Sequence, residues 1–332
     1  MFDVVTVGDT THDILVELPI SAANVNCELD KQKCNLLLGY GDKLPAKSLH
    51  HIYAVGNAAN NAIGMARLGF KNAIYTNLGN DESGNKALEI FAKERVGLDL
   101  VVKNPDKPGN LSVIISYQGE RVILVHHEKW KYKLPSMVPP KFVYYTSVAE
   151  DHEGLNNEIV KFVTNNNIKL GFNPGTYQIR KGLEGLKPVI AVTYALIVNR
   201  LEAGEILGIQ VKQENRDDQE IKYLLKKLHQ LGAKIAVITA GSAGTYAYDG
   251  KDYYFLKPNN VSVVERTGAG DAFSTGFMAG LIKGEDMATS MKWGVLNSES
   301  VLQHIGATKG LLTREKLEEK LLKYKDFQVE RI

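Results

Sequence analysis

Apolar and polar positions switch between two periods along this chain, and the switches outline an α/β protein. Short apolar runs at 3–7, 73–77, 142–146, 168–172, 194–198 and 235–239 read as strands. Between and after them, the stretches 57–69, 82–94, 153–166, 178–186, 217–231 and 286–304 repeat apolar residues at helical spacing. Strands alternating with helices predict a mostly parallel central sheet with helices on both faces. Three segments break the alternation. Residues 111–116 and 121–125 flank Tyr117-Gln118-Gly119-Glu120, and a second hairpin turns at Asp249-Gly250. Residues 21–53 begin polar and aperiodic, run through Leu36–Leu38 and turn at 39–42, which predicts no core helix.

The densest chemical signal lies at 261–280. Val261, Val263 and Val264 predict a strand, Glu265-Arg266-Thr267 ends it, and Gly268-Ala269-Gly270 have almost no side chain. Asp271 then falls in the first turn of a helix that ends near Lys283-Gly284. A turn of small residues feeding a helix N-terminus aims free N–H groups at whatever lies above it, which suits an anion. A bare Gly-x-Gly also serves as a plain tight connection. Asp271 admits two roles: a proton acceptor beside a phosphate cradle, or a carboxylate that favours the helix dipole.

Other polar positions repeat this ambiguity. Asn57, Asn60 and Asn61 share one face of the first turns of the helix 57–69, where they suit ligand binding or capping. Asn199 and Glu202 bridge a strand end and a helix start with the spacing of a capping box. Asp13 follows the first strand and suits either a pair of hydroxyl groups or a turn. His126-His127-Glu128 invites a metal reading, but neighbours on a strand point to opposite faces.

Composition narrows the function class. The 332 residues are 44% hydrophobic and 23% charged, as in an ordinary soluble globular protein. Forty basic and thirty-eight acidic residues leave a net charge of +2, so nothing in the charge argues for nucleic acid or a membrane. A small-molecule partner is expected instead. No signal-like segment or long apolar run is present, and Cys27 and Cys34 form no disulfide framework or zinc pattern. A cytoplasmic protein with two free thiols is expected.

Taken together, the motifs resemble a known family. Thr267-Gly268-Ala269-Gly270-Asp271 is similar to the C-terminal signature of the ribokinase-like (pfkB) carbohydrate kinases, D-T-x-G-A-G-D. Val55-Gly56-Asn57-Ala58-Ala59-Asn60-Asn61-Ala62 resembles their N-terminal G-G-x-x-x-N-x-A, with Val55 in place of the first glycine. Gly79–Gly84 resembles G-x-D-x-x-G, Asn199–Glu202 resembles N-x-x-E, and Thr239, Gly241 and Gly244 match T-x-G-x-x-G. Five motifs in the family's order cover nearly the whole chain. No Walker A sequence, dinucleotide fingerprint or protein-kinase set competes with them.

The resemblance implies a single ribokinase-like domain over 1–332, with a small β-sheet lid from about 14–53 and 109–132. It implies an ATP- and Mg²⁺-dependent kinase acting on a sugar. Asp271 would be the catalytic base and the amides of Gly268, Ala269 and Gly270 the anion hole. Asp13, Gly56, Asn57, Asn60 and Trp130 would face the substrate. Asn199, Thr239, Gly241, Gly244 and Thr267 would meet the nucleotide, with Asn297 placed in the adenine pocket by position alone. Glu202 would hold magnesium through water. Val55 narrows the space against the substrate in this reading. Glu265 and Arg266 depart from the family pattern beside its monovalent-cation site, which predicts little dependence on potassium. A nucleoside kinase, with Trp130 and Tyr132 stacking on a base, and a weakly catalytic sensor are the alternatives. The Leu-rich 21–53 segment suits a homodimer contact through the lid or a solvated loop.

Overall fold

The computed structural model describes residues 1–28, 33–211, 216–324 and 327–332. Nine strands form the main sheet. Their spatial order is Glu330–Arg331, Tyr253–Leu256, Thr245–Tyr248, Ile235–Thr239, Thr193–Asn199, Lys169–Phe172, Phe142–Tyr145, Val4–Val7 and Asn72–Tyr75. The six strands from Ile235–Thr239 to Asn72–Tyr75 are parallel, and the remaining three continue antiparallel. The parallel strands are continuous apolar runs because both faces are covered. Helices Glu153–Asn165, Gly182–Ala191, Arg200–Leu207 and Asp218–Gln230 supply buried residues to one face. Helices Asn57–Arg67, Ala269–Lys283 and Met287–Leu302 cover the other.

A separate four-stranded sheet stands at the carboxyl ends of the parallel strands. It runs Glu120–His126, Asn110–Tyr117, Thr11–Glu17, Ser48–Val55. Gln118 and Gly119 both take positive φ, 50° and 86°, which gives the two-residue turn that the hairpin requires. Between the strands Thr11–Glu17 and Ser48–Val55 the chain makes a hairpin from Asn24–Glu28 and Lys33–Leu37.

Three expectations are corrected here. Residues 261–264 form no strand: the Val264 and Glu265 amides bond to the carbonyl of Leu302, and Val263 and Val264 are half exposed. Cys27 and Cys34 are not free thiols, since they sit opposite each other in the antiparallel hairpin and form a disulfide. The helix near 178–186 is two helices, Thr176–Arg180 and Gly182–Ala191. Among the described residues, no helix is long and apolar enough to cross a membrane.

Candidate active site

The parallel strands release the chain at Gly8, Thr146, Asn173, Asn199 and Ala240, all on one edge of the sheet, where open α/β sheets build their sites. The helix Ala269–Lys283 begins over this edge. Its cap, Gly268, holds φ at +79°, and a Cβ there would stand 2.4 Å from the Ala307 Cβ. Gly270 is different, because a Cβ on it would meet nothing within 4 Å. The turn is packed from behind and open in front. The N–H groups of Gly270 and Asp271 lie in the first helical turn, where no preceding helical carbonyl can take them. The Thr267 hydroxyl is buried beside them without a partner.

Asp271 is held from the neighbouring helix. Asn60 Nδ2 donates to Asp271 Oδ2 at 2.7 Å, and Asn60 Oδ1 remains unpartnered. Asn61, which the sequence places on the same face as Asn60, completes the junction. It accepts from the Thr6 hydroxyl at 2.9 Å and donates to the Thr275 hydroxyl at 3.1 Å, and Thr275 donates to the Asp271 carbonyl at 2.7 Å. Burial pushes the Asp271 carboxyl up to about 6, while the Asn60 amide pulls it back down. Asp271 as a whole residue is partly exposed.

Glu202 belongs to the same electrostatic unit. Asn199 caps its helix by accepting from the Glu202 amide at 2.9 Å, and Glu202 returns the bond to the Asn199 amide at 2.8 Å. Burial, against that bond and with help from the charges of Asp271 and Glu205, raises the Glu202 carboxyl to about 7. The Asp271 charge raises the proton affinity of Glu202, a repulsion between carboxylates that a divalent cation would relieve, so the residues fit magnesium.

A cavity of about 410 Å³ opens beside the Gly268–Gly270 turn. It is lined by the motif residues Thr239, Gly241, Ala269 and Gly270, and also by Arg266, Ser242, Thr245, Pro258, Asn259, Ser298 and Glu299. The second group carried no sequence signal beyond its closeness to the motifs. Gly244 lies behind the cavity, where a Cβ would strike the Phe255 ring at 2.4 Å. Asn297 is corrected. It is fully buried, donates to the Ala272 carbonyl at 2.8 Å and accepts from the Leu312 amide at 2.9 Å, which ties two helices and a loop together. Its neighbour Ser298 faces the cavity instead.

On the other side of Asp271 the small sheet contributes Asp13, which accepts from the Thr11 hydroxyl at 3.3 Å. Burial raises the Asp13 carboxyl against bonds from Ser112 and Thr11, and the nearby Glu265 charge raises it further. Gly56 caps the helix Asn57–Arg67 within van der Waals reach of Thr11, and Asn60 of the same helix bonds Asp271. Asn57 is the first residue of that helix and half buried.

Three substrate-side expectations are corrected. Val55 is 2% exposed, so its side chain turns into the protein and does not narrow the opening. Trp130 is also 2% exposed, with the Lys107 ammonium 5.6 Å from its ring centre. Tyr132 directs its hydroxyl to Asp9 Oδ2 at 2.8 Å, which leaves neither aromatic ring as an open wall. His126 pairs with Glu128 at 3.1 Å and His127 lies 3.4 Å from Asp9, and the described residues contain no metal-binding group of three. Glu265 accepts from the Gly306 amide at 2.7 Å, and Arg266 lines the cavity.

Comparison with known proteins converges on one family. The model of the pfkB family carbohydrate kinases matches residues 20–314. A sugar kinase of Archaeoglobus fulgidus is 25% identical over 257 residues, covering 75% of this chain and 98% of its own. The structure of Arabidopsis thaliana ribokinase complexed with ribose and ATP aligns with a TM-score of 0.79 at 21% identity, over 97% of this chain and 99% of that one. A Methanocaldococcus jannaschii nucleoside kinase gives 0.76 at 20% identity, over 97% and 99%. The chain therefore has the ribokinase-like fold, and it belongs to the pfkB family of carbohydrate kinases, which transfer a phosphoryl group to an alcohol.

Proposed function

We propose that this protein transfers the γ-phosphate of ATP to a hydroxyl of a small carbohydrate. The observation that carries this reading is the position of Asp271. Its carboxylate accepts from Asn60 of the helix Asn57–Arg67 and stands directly after the open turn at Gly270, with a proton affinity raised toward neutrality. ATP occupies the 410 Å³ cavity, with its phosphates toward the turn. Asp13 and the unpartnered Asn60 carbonyl hold sugar hydroxyls, and Asp271 takes the proton from the attacking one. The amides of Gly268, Ala269 and Gly270 and the Thr267 hydroxyl receive the charge that grows on the transferring group. Glu202 holds magnesium through water, and that ion would neutralise phosphate charge.

The segments 14–53 and 109–132 act as a lid of one domain, excluding water from the transfer. Leu49, Val122, Leu124 and Val125 leave apolar surface on this sheet, which supports a homodimer through it. The nucleoside reading draws on the likeness to nucleoside kinases, but Trp130 is buried and Tyr132 is partly buried with its hydroxyl bonded to Asp9, which leaves the aromatic stacking wall it needs unsupported. The test is ADP release from ATP and Mg²⁺ with a panel of pentoses, hexoses, sugar phosphates and nucleosides. Turnover on a sugar supports the proposal, and turnover confined to nucleosides replaces it. No turnover on any member, with tight nucleotide binding, would make the protein a sensor.

A further inference from the structure

Glu299 lies in the cavity wall, 2% exposed, and among the described residues every hydrogen bond its carboxylate accepts comes from Asn259. The Asn259 backbone amide donates to Oε1 at 2.6 Å, and Nδ2 reaches Oε1 at 3.2 Å and Oε2 at 3.0 Å. A carboxylate only accepts, so this contact fixes the amide orientation that an asparagine otherwise leaves open. Nδ2 must face Glu299. Oδ1 must then face away from it, and no described residue donates to Oδ1. Around the pair, Pro258, Val261, Val263, Val295 and Leu302 give the cavity apolar walls suited to a flat ring.

We propose that Asn259, locked by Glu299, selects the base of the phosphoryl donor by presenting a hydrogen-bond acceptor to its exocyclic amino group. Asn259 touches the base, and Glu299 is a positioning residue that acts through it. The inference rests on the reading of the cavity as the nucleotide site. An adenine amino group donates to Oδ1. A 6-oxo purine sets acceptor against acceptor, and a free asparagine would answer by flipping its amide. Glu299 forbids that flip, because it would turn the Asn259 carbonyl onto a carboxylate.

Titration calorimetry with ATP and ITP, in the presence of Mg²⁺ and without acceptor, needs no variant. ITP keeps the purine frame and exchanges only the amino group. ATP should bind about ten-fold tighter or better, as one gained bond against one unpaired acceptor implies. Asn259→Ala should bring the two nucleotides within about three-fold of each other, and E299Q should do so by tightening ITP as well as weakening ATP. Asn259→Ser replaces Asn259→Ala if the latter does not fold. Equal binding of ATP and ITP by the parent overturns the proposal, as does discrimination that survives in the folded Asn259 variants. Binding of neither nucleotide would instead remove the nucleotide reading of the cavity.

Discussion

Two glycines, two residues apart, should respond to the same methyl group with opposite signs. In Gly268→Ala the new Cβ lies 2.4 Å from the Ala307 Cβ and 2.7 Å from its Cα, well inside contact distance. The loop carrying Ala307 cannot easily retreat, because the Gly306 amide is bonded to Glu265 and the Thr308 carbonyl accepts from Arg67 at 2.6 Å. Overpacking costs about 1–3 kcal/mol, and a left-handed alanine adds about 1–2 kcal/mol. The sum is a loss of about 2–5 kcal/mol. In Gly270→Ala the Cβ meets nothing within 4 Å and sits in a helical turn, where alanine is favoured by about 0.5–1 kcal/mol. In the proposed site that methyl would stand where the phosphate approaches, so kcat/KM should fall about 10²-fold. Urea unfolding and steady-state kinetics on both variants separate the effects. A stable Gly268→Ala would refute the packing behind the turn. A Gly270→Ala variant with kcat/KM near the parent's would mean that no ligand approaches it.

Other perturbations test neighbouring parts of the account. Activity should fall as pH drops through about 6, because the base must be ionised, and log(kcat/KM) against pH reads it. The same carboxyl binds its proton more tightly in the folded chain, about 6 against the ordinary 3.8, so its ionised form opposes folding. That penalty is absent below about pH 4, grows between 4 and 6 and is full above, so Asp271→Asn should be more stable than the parent by about 1–3 kcal/mol at pH 8 and equal at pH 3.5. With the Glu265 carboxylate bonded to Gly306 and the Arg266 charge nearby, the rate should change little with KCl at constant ionic strength, and strong activation would show that a cation site survives. Asn297→Ala should cost about 2–4 kcal/mol by stranding two buried groups, while the ATP KM of the folded protein stays put.

Much of the architecture was legible because it depends on local periodicity and turn chemistry. The 57–69 helix, the Gln118-Gly119 turn and the start of the helix at Asp271 follow from apolar spacing and small residues. What failed depends on pairing register, helix rotation and contacts that apolar spacing does not encode. Val263 and Val264 look like a strand, but they sit half exposed near the cavity on a segment tied to Leu302, and composition does not distinguish the two. The Cys27–Cys34 pairing needs the hairpin register, which a polar segment does not announce. Asn297 and Ser298 are adjacent on one helix, and only its rotation decides which side chain reaches the cavity. Asn60 was visible as a polar residue in a small-residue helix, whereas its bond to Asp271 spans 211 positions.

The central claim is that Asp271 removes the proton from the acceptor hydroxyl, and Asp271→Asn tests it most directly. The substitution keeps the side chain's size and leaves an oxygen for the Asn60 amide. With ATP, Mg²⁺ and the best acceptor, kcat should fall by about 10²- to 10⁴-fold, while ATP affinity holds or rises slightly as a negative charge leaves the phosphates. A folded variant turning over at more than about a tenth of the parent rate would contradict the claim, because a helix-dipole carboxylate contributes only about 0.3–1 kcal/mol of stability and nothing to proton transfer.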